Sequence, residues 1–148
     1  MLRQYPSELY DQKSFYKAFI KDITHAKQRV VIECPFITSK RLNQLLPLLS
    51  KLVKRGVTVT VNTKPFDEHD ELFRRMAYAG IADLQEIGVT VLMTVGHHRK
   101  LAVIDNDILW EGSLNILSQN DSCEIMRRIQ SAQVTSETIA FLHLDRYL

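Results

Sequence analysis

The chain is expected to form an α/β domain, a mixed β-sheet with helices on both faces, arranged in three layers. Segments with apolar residues at helical spacing alternate with short β-branched runs. The β-branched runs are largely apolar, as in strands buried on both faces. A hairpin signal in the second half adds an antiparallel pair to an otherwise parallel pattern. A length of 148 residues, 45% hydrophobic and 24% charged, fits one domain over residues 1–148 with a sizeable core, and excludes a disordered or coiled-coil chain.

From Ser14 to about Arg29, the residues Phe15, Phe19, Ile20, Ile23 and Ala26 make a helical stripe that Ser14 is placed to cap. Val30 to Cys34 is a strand that Pro35 stops. Ser39 to Lys54 is a second helix, with Leu42, Leu45, Leu46, Leu48, Leu49, Leu52 and Val53 apolar and Gly56 ending it. Val57 to Asn62 is again a strand. Asp67 to Ile87 is helical with an interruption at Gly80, and Gly88 leads into a strand from Val89 to Thr94. Lys100 to Ile104 and Ile108 to Glu111 flank the turn Asp105-Asn106-Asp107. A strand at about Glu124 to Ile129 and a helix from Ser136 to Leu148 complete the chain.

No stretch of 18 apolar residues occurs, and the first residues lack the apolar core of a signal peptide, so neither a membrane span nor secretion is expected. Cys34 and Cys123 have no metal-site spacing and read as reduced, core-packed thiols of a cytoplasmic protein. A net charge of +2 permits a polyanionic partner without requiring one.

The chemistry concentrates in Gly96 to Asp105 and in Gly112-Ser113-Leu114-Asn115. His98 and Lys100 are two residues apart and share a face of an extended segment, as do Ser113 and Asn115. An ammonium, a hydroxyl and a carboxamide around an imidazole form a donor-rich cup suited to a phosphate, with the imidazole as nucleophile or proton carrier. Ala102 and Ile104 continue the His98 face inward, which puts the polar groups at the strand's entrance. His97 points away from His98 and reads as a loop residue. Asp105 lies at the turn on the opposite face and reads as a scaffold for the hairpin, while Gly112 allows a bend or a close approach to phosphate. Arg99, beside the motif, is the basic residue best placed to touch a phosphate or nucleic acid. Trp110 reads as packing in the hairpin. No carboxylate cluster of the kind that holds Mg²⁺ is present, so neither metal nor cofactor is expected.

His98-x-Lys100-x4-Asp105, followed after six residues by Gly112-Ser113-x-Asn115, resembles the signature of the phospholipase D superfamily. Pro35-Phe36-Ile37-Thr38, the following helix, Gly56 and a Val-rich strand extend the resemblance over most of the chain. It implies a phospholipase D/nuclease-like fold, one half per chain, and metal-independent phosphodiester transfer through a phosphohistidine. His98 would attack phosphorus, while Lys100, Asn115 and Ser113 stabilise the added charge. An acidic residue that supports the histidine corresponds to Glu124, with Asp121 in reserve. Two-motif members build one site from two histidines, whereas this chain has one motif, which implies a homodimer in which His98 meets its symmetry mate. In length the chain resembles single-motif bacterial endonucleases and the nuclease domains of restriction enzymes and helicases. That implies DNA or RNA as substrate, with a helicase or recognition domain as a possible companion. A phospholipid hydrolase or transferase and a non-catalytic nucleic-acid-binding dimerisation module are the alternatives.

Overall fold

A computed structural model describes residues 5–118 and 122–148. One seven-stranded mixed sheet runs through it, in the order β1 (Ser7–Asp11), β7 (Ile125–Gln130), β6 (Ile108–Gly112), β5 (Leu101–Ile104), β2 (Arg29–Glu33), β3 (Thr58–Thr63), β4 (Thr90–Met93). β2, β3 and β4 are parallel, and β5, β6, β7 and β1 are antiparallel to their neighbours. α1 (Phe15–Thr24), α2 (Ser39–Lys54) and α3 (Glu71–Glu86) supply the larger core, burying Phe15, Phe19, Leu45, Leu49 and Leu84 against Val30, Ile32, Val59 and Trp110. On the opposite face α4 (Ala132–Phe141) and a 3-10 turn at Leu144–Tyr147 cover Val31, Leu101, Val103 and Leu109. The expected mixed sheet with helices on both faces is therefore present, with three helices on one side and one on the other.

Several boundaries differ from expectation, each for a local reason. α1 ends at Thr24 because the following residues join β2, where Arg29 pairs with Thr58. Ser14 occupies the N-cap position but its side chain makes no capping hydrogen bond; Asp11 instead shapes the turn before the helix, accepting from the backbone N–H groups of Lys13 and Ser14 at 2.9 and 3.0 Å. The helix expected from Asp67 is divided before Gly80, not at it. A 3-10 turn at Phe66–Glu68 is followed by an Asp70 cap that accepts from Phe73 N–H at 3.2 Å. Gly80 stays inside α3, where a Cβ would lie 2.7 Å from Ile37 Cγ2. The last helix starts at Ala132 because Ser131 caps it through Val134 N–H. β1 carries no legible strand pattern, since Ser7-Glu8-Leu9-Tyr10-Asp11 is a mostly exposed edge held by pairing with β7. Cys34 is buried but Cys123 is exposed, so the second is not a core thiol.

The parallel order positions the site. Loops leaving the C-terminal ends of β2, β3 and β4 lie at one end of the sheet, and β5 starts there because Leu101 pairs with Glu33, the last residue of β2.

Candidate active site

Residues 97–100 approach β5 as a loop, and the strand begins at Leu101 rather than Lys100. His98 is exposed, and its imidazole has no hydrogen-bond partner among the described residues. Lys100 donates from Nζ to the His98 carbonyl at 2.8 Å, placing the ammonium beside the imidazole's own backbone. His98, Arg99, Lys100, Gly112, Ser113 and Arg127 line an open groove of about 800 Å³ together with Leu9, Leu101, Glu111 and Ile125. His98 is the one histidine among these lining residues.

Ser113 contributes differently from the expectation of a free donor. Its Oγ accepts from Ile125 N–H at 3.0 Å and faces the Ile125 carbonyl at 3.4 Å, stitching the end of β6 to β7. Gly112 is required by the same closeness, because a Cβ there would lie 2.1 Å from the Ile125 carbonyl oxygen and 2.9 Å from Met126 Cα. Its close approach is thus to β7 rather than to a phosphate. Asn115 does not line the groove. It sits in the loop beyond, which Tyr16 holds by donating its hydroxyl to the Ile116 carbonyl at 2.5 Å, while Asn115 Oδ1 is buried without a partner among the described residues.

Asp105 adopts φ of 54°, a left-handed conformation that Asp tolerates in turns. Its carboxylate accepts from the backbone N–H groups of Lys27, Gln28 and Arg29 at 2.7 to 3.2 Å. The motif aspartate therefore ties the hairpin to the α1–β2 connection, at the other end of β5 from His98. Trp110 is fully buried against Tyr10, Phe15 and Phe19, and its indole N–H donates to Asp22 at 2.8 Å.

Glu124 is half-buried, and its backbone N–H donates to Gln12 Oε1 at 2.9 Å. No hydrogen bond joins its carboxylate to His98 among the described residues. Asp121, the reserve, lies outside the described residues.

Two residues carry more than the sequence reading gave them. Glu33, at the end of β2, has no solvent exposure and lies directly beneath the motif. Arg99 donates to its Oε1 from Nε and Nη2 at 3.1 and 2.9 Å, and Asn62 donates to Oε2 at 2.7 Å. Burial pushes the Glu33 carboxyl up, while Arg99 and Asn62 pull it back. His97 is not a loop residue in solvent. It is 4% exposed, with Nε2 3.1 Å from Glu33 Oε2 but out of line for a hydrogen bond. Burial, reinforced by the positive charges of Arg99, Lys100 and His98, pushes His97 down to about 4, so its ring is neutral at physiological pH. The signal was present in the sequence: a carboxylate inside the apolar run Val30 to Cys34 has to find buried partners.

Among the described residues no group of three or more His, Cys, Asp or Glu is placed to hold a metal ion, and no helix is long and apolar enough to cross a membrane.

With this geometry in view, comparison with known proteins assigns the family. The family model described as cardiolipin synthase, PLD-like domain, matches residues 19–144, nearly all of the described sheet and helices. The chain belongs to the phospholipase D superfamily. Its fold is similar to that of Nuc from Salmonella typhimurium, a phospholipase D family member, with a TM-score of 0.77 at 16% identity, covering 97% of this chain and 95% of that one. NucT from Helicobacter pylori aligns with a TM-score of 0.68 at 16% identity over 93% of each chain. TrmBL2, an archaeal chromatin protein with a novel mode of DNA binding, aligns with a TM-score of 0.63 at 13% identity, covering 97% of this chain and 52% of that one. No curated protein matches the sequence. Membership in this superfamily points to phosphodiesterase chemistry and makes the six motif positions, His98 to Asn115, the part of the surface to explain.

Proposed function

We propose that the protein is a metal-independent phosphodiesterase, an endonuclease cleaving DNA or RNA through a phosphohistidine in a site shared by two identical chains. The observation that carries this reading is the open groove in which His98 and Lys100 lie together and in which His98 is the sole lining histidine. A ring nitrogen of His98 attacks phosphorus, forming the N–P bond as the bond to the leaving oxygen breaks. The departing oxygen needs a proton, and the water that later releases the phosphate must lose one. His97 is withdrawn into the core, so within this chain no second imidazole lines the groove to carry that proton. A second copy related by two-fold symmetry supplies it through its own His98. Lys100 binds a non-bridging oxygen and Ser113 holds the end of β6 beside it, so that a donor faces the charge that grows in the transition state, while Asn115 lies in the loop beyond the groove.

A nucleic acid is favoured as substrate because Lys100 and Arg127 place cations along the groove beyond what one phosphate needs, and because the structurally similar TrmBL2 binds DNA. We place this activity in the cytoplasm, where exposed Cys123 stays a thiol. Phospholipid is the second reading, favoured by exposed Leu9 and Ile125 in the same groove and by the cardiolipin synthase description of the matching family model. Labelled single- and double-stranded DNA, RNA and phospholipid vesicles, each incubated with the protein in excess EDTA, separate them. Cleavage of a nucleic acid that persists in chelator is the expected result. Dependence on Mg²⁺ overturns the mechanism, and vesicle turnover without nucleic-acid cleavage overturns the substrate.

A further inference from the structure

We propose that Glu33 is a positioning residue for this reaction, fixing the backbone from which His98 projects by gripping Arg99 on one side of it and packing against His97 on the other. The inference rests on the phosphohistidine reading above and adds the device that keeps the nucleophile in place.

Both sequence neighbours of His98 converge on one carboxylate. Arg99 grips Glu33 Oε1 with two donors, and the His97 ring packs 3.1 Å from Oε2. Behind Glu33, Asn62 donates to Oε2 and in turn accepts from Thr94 Oγ1 at 2.8 Å, so the carboxylate is itself held from two adjoining strand ends. The segment is anchored again just upstream, where Glu68 accepts from Gly96 N–H at 2.9 Å, and downstream by Lys100 on the His98 carbonyl. His98 is the member of this segment whose side chain remains free to meet a ligand.

A carboxylate without solvent contact is unfavourable unless it is ion-paired and hydrogen-bonded, and apolar Val31 and Ile32 beside it show what packing alone requires. Glu33 therefore has work beyond filling the core. Its position also redefines Arg99, whose guanidinium is engaged by Glu33 and reaches the substrate's phosphate through placement of the loop rather than by direct contact. The neutral His97 adds no competing charge beside the nucleophile. An attacking nitrogen displaced by about 1 Å costs on the order of 100-fold in rate, so a rigid bracket around His98 bears directly on turnover.

Glu33→Gln keeps the shape and the Asn62 contact while removing the charge. Its expected effect is a fall in kcat of about 10- to 100-fold with KM changed less than about twofold, because the groove's contacts with substrate stay. Amide hydrogen exchange at residues 97–99 should quicken while the rest of the sheet keeps its protection. Arg99→Lys, at a side chain 43% exposed, retains the charge but breaks the two-donor grip and should reproduce the kcat loss. The double variant should be no worse than the poorer single one, since both cut the same link. If Glu33→Gln fails to fold, Arg99→Lys carries the test alone. Full kcat in either folded variant, unchanged exchange at 97–99, or an Arg99→Lys defect confined to KM and salt dependence overturns the proposal. His98→Ala in the same assays separates the two levels. Cleavage that survives it refutes the phosphohistidine reading, whereas cleavage that needs His98 and ignores Glu33→Gln refutes the bracket alone.

Discussion

His98→Ala is expected to lower kcat/KM for phosphodiester cleavage by at least about 10⁴-fold, a loss of roughly 5 kcal/mol of transition-state stabilisation. The size follows from the covalent route. With no ring nitrogen to attack, the reaction loses its nucleophile, and in a symmetric pair it loses the proton carrier in the same substitution. The variant should fold normally, because His98 is exposed and its side chain supports nothing else in the described structure. Quenching the wild-type reaction in acid-free denaturant and mapping the modified peptide should place a phosphoryl group on His98 and on neither His97 nor His69. Unchanged Tm with lost cleavage is the pattern that separates a chemical role from a structural one.

Gly112→Ala should instead destabilise the fold, by about 3 kcal/mol or more, with Tm falling by roughly 10 °C. The added methyl would sit 2.1 Å from a backbone carbonyl of β7 and 2.8 Å from Met126 Sδ. A side chain could swing away, but the β7 backbone is held on its other edge by β1, from Ser7 paired with Ile129 to Asp11 paired with Ile125. Relief would require parting β6 from β7 where Ser113 stitches them. Thermal unfolding and urea titration read the effect directly, and a Tm within about 2 °C of wild type would contradict the account. The glycine of the Gly-Ser-x-Asn segment is, on this reading, first a condition for two strands to meet and only through that a condition for chemistry.

The contrast between these two residues marks what the sequence discloses. That His98, Lys100 and Ser113 lie close together was legible because motif spacing acts over a few residues, and the groove brings them together although all three lie outside the strands. α2 was legible to its boundaries because a leucine stripe and a terminating glycine at φ of 94° are local signals. β1 was not, because its pairing with β7 joins residues more than a hundred positions apart and its own side chains are mostly solvent-exposed. The role of Gly112 was hidden for the same reason: what crowds it comes from another strand. Glu33 is visible as an acid in the run Val30 to Cys34, but its partners are not. A lone acid in a β-branched run signals a buried pairing, but the partners, Arg99 and His97, lie some 65 residues away and no local rule names them.

On the proposed mechanism, one chain presents half of a site for two proton transfers. Lys100, Ser113 and the exposed His98 face a groove with apolar walls from Leu9 and Ile125. The most direct test of the shared site uses two differently tagged chains produced together, one wild type and one His98→Ala, purified as the mixed pair. If both histidines act on one phosphorus, the mixed pair turns over at less than about one hundredth of the rate of the wild-type pair. Turnover at about half that rate, with each wild-type chain working alone, would contradict the account.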